Sequence, residues 1–252
     1  MNALRNSILI TSLGASFLLT HPNLIAKENP KYLPQGAVDG AAIIGPPPAL
    51  DSNEFQAEMK TVLWLQRTRT PEQIAFAQTT LDVERFTPTI GSDLFATNAR
   101  ELMTILNIVV EEVRLDYDVL KAKFDVPRPF VRNKKVKPIM KARKVPSYPS
   151  GHAIRSIVWA RLLSDVFPDK REALMQLAYQ IGYGRVIAGL HYPADVIAGQ
   201  KLGNAYADAI LKNPVYQSKI ASITTPRTSH QSPASNAPPE SPETSPPAVP
   251  AP

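Results

Sequence analysis

Three observations predict an all-α fold. Between Asn98 and Lys123, Leu102, Ile105, Leu106, Val109, Val113, Tyr117 and Leu120 recur at three- and four-residue steps, with Glu and Arg on the opposite face. That is the period of one buried helix side. No stretch alternates apolar and polar residues for long enough to make a half-buried strand. The other apolar runs begin at capping residues or first-turn prolines and stop at further prolines, as helices do. With 252 residues, 44% hydrophobic and 20% charged, the chain can bury one large core. A single helical-bundle domain over residues 27–221 is expected.

Residues 1–26 read as a signal peptide. Arg5 supplies the positive start, Ile8 to Leu19 the apolar stretch, and Leu24-Ile25-Ala26 a cleavage site. Twelve apolar residues fall short of the roughly 20 that a spanning helix needs. Residues 27–50, with Pro34 and Pro46-Pro47-Pro48, form an extended lead-in. Asp51 or Ser52 caps a helix carrying Phe55, Met59, Val62, Leu63 and Leu65. Pro71-Glu72 opens another with Ile74, Phe76 and Leu81. The long stripe from Asn98 to Lys123 follows and ends before Pro127 and Pro129. Residues 130–148 are loop-like and strongly basic.

A helix is expected from Gly151 to Val166, stopped by Pro168. The next is capped by Asp169 and holds Ala173, Leu174, Leu177 and Ile181. The last starts at Pro193 and continues through Ile197, Leu202, Ala205 and Ile210. From Ser222 onward nine of the 25 prolines lie among Ser, Thr and Ala. Such a composition cannot offset its ordering entropy, so 222–252 is expected to be a disordered tail.

The net charge of +6 and isoelectric point near 9.5 suit anionic substrates, but equally nucleic acid or anionic surfaces. The chain has no cysteine, which excludes disulfides and thiolate metal ligands. Of its four histidines, His21 lies in the expected leader and His230 in the expected tail. His152 and His191 therefore hold the only imidazoles of the domain. The first sits in Tyr148-Pro149-Ser150-Gly151-His152, and the second has Asp195 four residues after it.

Three cations belong with these segments. Lys121 ends the long helix, Arg128 stands between two prolines, and Arg185 precedes His191 by six residues. Brought together, they would match the charged oxygens of a phosphoryl group. Ser150 adds a hydroxyl, Gly151 lets its backbone N–H approach an oxygen closely, and a helix N-terminus there favours an anion. One imidazole would then attack phosphorus while the other protonates the leaving oxygen. Asp195, bonded to one ring nitrogen of His191, would fix its tautomer.

Lys121-x6-Arg128-Pro129, Pro149-Ser150-Gly151-His152 and Arg185-x5-His191-x3-Asp195 together resemble the three-part signature of the type 2 phosphatidic acid phosphatase superfamily, which includes vanadium-dependent haloperoxidases. Within it the chain is most similar to the secreted bacterial class A non-specific acid phosphatases. Pro46-Pro47-Pro48, Ser147-Tyr148 and Asn213-Pro214 extend the likeness over roughly residues 30–220. The resemblance implies an all-helical fold and metal-free, cofactor-free hydrolysis of phosphomonoesters through a phosphohistidine. His191 is then the nucleophile, His152 the general acid/base and Asp195 the orienting group. Lys121, Arg128, Ser150, Gly151 and Arg185 hold the phosphate, where vanadate or inorganic phosphate would also bind.

A periplasmic or secreted enzyme acting on small phosphomonoesters is expected, with homo-oligomers as in the family. The alternatives for the same pocket are a vanadate-dependent peroxidase and a lipid-phosphate phosphatase. The family's usual Ser before the third-motif Arg is Gly184 here. The basic loop holds Arg132, Lys134, Lys135, Lys137, Lys141, Arg143 and Lys144 but lacks aromatics for base stacking. It is read as a rim that draws in anions, with no nucleic acid as a specific partner.

Overall fold

The computed structural model of the chain describes residues 31–224, Ala142 excepted. The expected leader and residues 225–252 of the expected tail lie outside the described residues. Among the described residues every regular element is helical, so the all-α expectation holds. In chain order they are α1 (Gly40–Ile44), α2 (Asn53–Thr68), α3 (Pro71–Gln78), α4 (Thr87–Ile90) and α5 (Ala99–Phe124). After these come α6 (Pro129–Arg132), α7 (Gly151–Val166), α8 (Arg171–Ile187), α9 (Pro193–Leu211) and α10 (Pro214–Thr224).

The starts follow local chemistry. The Ser52 hydroxyl accepts from the Phe55 N–H at the head of α2. Thr70 and Gln73 cap each other's backbone at α3, with Pro71 in the first turn. These side chains satisfy N–H groups that have no partner within the helix. Asp169 does not cap α8, because Pro168–Lys170 form a 3₁₀ turn and the helix starts at Arg171. Leu81 lies beyond the end of α3. The segment after Asn213 forms α10, a helix the sequence pattern did not reveal. It carries the chain through Ser222 to Thr224 with Ile223 buried, three residues past the expected domain edge.

The whole stripe of α5 from Leu102 to Leu120 is buried. It packs beside α7, whose Ile154, Ile157, Val158, Trp159, Leu162 and Leu163 are all sealed from solvent. A helix with so broad an apolar face belongs near the centre of a bundle, and α8 and α9 pack against α7. Glycines set how close α9 comes. A Cβ on Gly199 would lie 2.7 Å from the Ser150 carbonyl oxygen, and one on Gly203 2.8 Å from that of Ile154. The resulting approach joins the heads of α7 and α9 directly, the Ser150 N–H donating to the Asp195 carbonyl at 2.9 Å.

Side chains at the C-terminal end of α2 pin the basic loop. The Gln66 amide donates to the Lys135 carbonyl and accepts from the Lys137 N–H, while Arg69 donates to the carbonyls of Lys137 and Ile187. The loop's far end enters a cis Tyr148–Pro149 peptide just before α7.

Candidate active site

Two chain reversals bring the motifs together. α8 ends with Gly189 at φ 72°, the Leu190 N–H returning to the Arg185 carbonyl and the Gly189 N–H to that of Val186. This glycine-terminated cap turns the chain sharply, so His191 comes back beside the helix end that carries Arg185. α5 ends with Asp125 left-handed at φ 45°, a conformation aspartate tolerates better than most residues. The chain then passes through Pro127-Arg128-Pro129 towards His191. α7 starts at Ser150, whose Oγ accepts from the Ala153 N–H.

A cleft of about 550 Å³ opens between α5, the head of α7 and the loop at 143–146. Lys121, Arg128, Gly151, His152 and His191 line it, together with Arg114, Tyr117, Asp118, Arg143 and Arg155. The structure thus brings both imidazoles to one cleft with Lys121, Arg128 and Gly151. Gly151 is required by packing, since a Cβ there would come within 2.9 Å of the Tyr117 hydroxyl. Ser150 is fully buried behind the cleft as the α7 cap. Arg185 is buried as well and is not among the lining residues. It donates to the Ala77 carbonyl at 3.3 Å and lies against the Met140 sulfur, while its Nε has no partner.

His191 is 2% exposed, and its tautomer follows from its partners. Arg128 Nη1 lies 2.9 Å from His191 Nε2, and a guanidinium only donates. Nε2 must therefore present a lone pair, and the proton sits on Nδ1. Asp195 Oδ2 accepts that proton at 3.0 Å, the Tyr192 N–H at 2.9 Å and the Ser147 hydroxyl at 2.5 Å. Burial, then the charges of Arg128, Lys121 and Arg185, hold the His191 pKa well below its ordinary value. Burial pushes the Asp195 carboxyl up to about 6, against the hydrogen bonds from Ser147 and Tyr192. His152 is also held well below the usual imidazole range, by burial and then by Arg185 and Arg155.

Lys121 behaves differently from the simple phosphate ligand the sequence implied. Its ammonium donates to the carbonyls of Pro146, Ser147 and Pro149 at 3.1, 3.2 and 2.5 Å. All three of its protons are thereby committed. It fixes the loop that carries Ser147 and adds positive charge beneath the cleft, while burial lowers its pKa to about 8. Arg128 donates Nε to the Val145 carbonyl and Nη1 to that of Leu190. Gly184 has no foreign atom closer than 3.6 Å to an added Cβ, so a serine would fit there.

The sequence reading missed three contributors. Ser147 had counted only as part of a resemblance, and its hold on Asp195 spans 48 residues. Glu58 of α2 accepts the Ala194 N–H with both oxygens at 3.0 Å, steadying the first turn of α9. Arg155 follows His152 by three residues, a spacing that places both on one helix side. No cluster of three or more metal-ligating side chains occurs among the described residues.

The helical bundle thus buries a His–Asp pair at the floor of a cationic cleft. The sequence profile of the PAP2 superfamily matches residues 101–218, which contain all three motifs, and the chain belongs to the PAP2 superfamily. It is 27% identical over 212 residues to a non-specific acid phosphatase of Providencia stuartii, covering 80% of this chain and 84% of the relative. Two solved structures share the fold. One is a transmembrane PAP2-type phosphatidylglycerolphosphate phosphatase from Bacillus subtilis, with a TM-score of 0.51 at 20% identity over 68% of this chain and 90% of the other. The second is a bacterial vanadium-dependent iodoperoxidase, with a TM-score of 0.52 at 21% identity over 70% and 54%. At the family level this is a PAP2-type phosphatase or hydrolase. No helix among the described residues is long and apolar enough to cross a membrane.

Proposed function

We propose that the protein is an acid phosphatase that hydrolyses small phosphomonoesters of varied leaving group through a phosphohistidine on His191. The reading rests above all on the Arg128–His191–Asp195 chain, which leaves Nε2 unprotonated inside a cationic cleft.

The ester's phosphoryl oxygens draw the Arg128 guanidinium from Nε2, and the charges of Lys121 and Arg185 favour the bound dianion. Nε2 attacks phosphorus in line as the P–O bond to the leaving group breaks. His152, protonated, gives its proton to the departing oxygen. The bound dianion offsets the cations that depress His152, so the imidazole holds a proton more readily in the complex than in the empty cleft. Asp195 stabilises the positive charge that His191 acquires as the new P–N bond forms. Water then enters, gives a proton to His152 and bonds to phosphorus. The P–Nε2 bond breaks and inorganic phosphate leaves.

The likeness to the Providencia stuartii phosphatase supports phosphomonoesters over the alternatives. The leader expected at residues 1–26 supports a periplasmic or secreted protein.

Aryl phosphate turnover by wild type and His191→Ala tests the mechanism, with trapping of an acid-labile, alkali-stable phosphoenzyme. Loss on the order of 10³-fold or more is expected, together with loss of the trapped species. Undiminished turnover by the variant would refute the reading.

A further inference from the structure

We propose that the same cleft holds a second anion subsite, formed by Arg143 and Arg155. The preferred substrates are then phosphomonoesters whose leaving group carries a further anionic oxyacid group, a carboxylate or another phosphate. The inference rests on the phosphomonoesterase reading above and narrows it to a substrate class.

The charges in the cleft motivate it. Five cations line the cleft, Arg114, Lys121, Arg128, Arg143 and Arg155, against the single carboxylate of Asp118. Arg114 is already neutralised, with Nη1 3.1 Å from Glu111 and Nε 3.5 Å from Asp118, and both acids raise its pKa. Lys121 and Arg128 lie deep beside His191, tied to backbone carbonyls. With Arg185 behind them they suffice for one phosphate dianion. Arg143 and Arg155 remain over, and neither forms an ion pair among the described residues.

Arg155 sits among like charges. Beyond burial and the other cations of the site, its guanidinium helps to depress the pKa of both His152 and Arg185, and a bound anion would offset that charge. Its Nε donates to the Gly151 carbonyl at 3.3 Å, which fixes the base of the guanidinium and leaves the two terminal amines for a planar oxyacid group. Arg143 lines the same cleft from the loop.

The spacing defines the ligand. His152 and Arg155 are three residues apart on α7, a rise of roughly 5 Å. A second anionic group carried two or three carbons from the scissile oxygen spans that distance. Along the opposite wall, Lys121 and Arg114 are seven residues apart on α5, about 10 Å, so the cleft accepts the leaving group lengthwise. Tyr117 lies between them and offers an apolar ring to its carbon skeleton.

Matched esters test the subsite. 3-Phosphoglycerate and glycerol 3-phosphate share a skeleton and differ by carboxylate against hydroxymethyl. Propane-1,3-diol bisphosphate and 3-hydroxypropyl phosphate differ by the second phosphate, three carbons from the scissile oxygen. The readout is the ratio of kcat/KM within each pair, which cancels any change common to both members. Wild type is expected to favour the more anionic member about tenfold or more in at least one pair. High salt should reduce this preference without abolishing it, because contact charges are screened less than distant ones.

In Arg143→Gln/Arg155→Gln the ratio should fall towards one, and the pair whose ratio collapses identifies the group the subsite takes. Arg143→Gln alone, at an exposed loop position, should lower the ratio in part and serves if the double variant does not fold. Wild-type ratios near one in both pairs, or ratios that the substitutions leave intact, overturn the subsite. If wild type hydrolyses none of the four esters, the phosphomonoesterase reading falls and the subsite with it.

Discussion

Replacing Ser147 by alanine removes one hydroxyl and tests how the floor of the cleft is wired. Ser147 Oγ is 2.5 Å from Asp195 Oδ2, the oxygen that also holds His191 Nδ1. A hydrogen bond to a charged group contributes about 1.5–3 kcal/mol, and one pKa unit corresponds to about 1.4 kcal/mol. Losing it should raise the Asp195 pKa by about one to two units above its present value of about 6. A protonated Asp195 no longer accepts from Nδ1–H, so the tautomer that frees Nε2 is lost. Activity should therefore disappear on the acid side at higher pH than in wild type. The assay is the pH dependence of kcat/KM on an aryl phosphate for wild type, Ser147→Ala and Ser147→Thr. The acid limb should move alkaline by about one to two units in the alanine variant and much less in threonine, which keeps the hydroxyl. An acid limb that stays in place would refute the claim that Ser147 sets the Asp195 titration.

Two further outcomes can be measured. Gly199→Ala puts a methyl 2.7 Å from the Ser150 carbonyl oxygen and must push α7 and α9 apart. Thermal denaturation should show a loss of about 1–3 kcal/mol with a fall in kcat, whereas Gly184→Ala, at a position with ordinary contact distances, should not. Glu58→Gln addresses stability against pH. Burial raises the Glu58 pKa from 4.5 to about 7, so the folded state binds its proton more tightly than the unfolded chain. Its stabilising contribution is complete below pH 4.5 and fades as pH rises through about 7. The glutamine variant should flatten the stability profile across that window, read from denaturant midpoints at several pH values.

Much of the architecture could be read from the chain because its signals are local. The α5 stripe shows in the sequence because one face is polar, and Ser52, Pro71, Ser150 and Pro193 mark helix starts by chemistry that acts within one turn. The periodicity of α7 is faint because apolar residues cover most of its circumference, and its start was placed from the Pro-Ser-Gly-His segment. α10 escaped because Asn213-Pro214 was read only as part of the resemblance, although a proline there suits the first turn of a helix. Ile197 follows the helical pattern yet is 53% exposed, since α9 turns that side outward. At the site, residue identities were legible because charge and spacing carry them. Ser147's grip on Asp195 and Lys121's commitment to three carbonyls were not. Both depend on contacts made 25 or more residues away, and no local pattern encodes such distances.

The guanidinium that sits on His191 Nε2 has a consequence for chemical selectivity. On the proposed mechanism the attacking lone pair is sheathed in the resting protein, so an uncharged electrophile entering the cleft meets a cation rather than a nucleophile. Only a visitor anionic enough to recruit Arg128 uncovers the ring. Recognition and exposure are thus one event, which protects the imidazole from stray alkylation and acylation between turnovers.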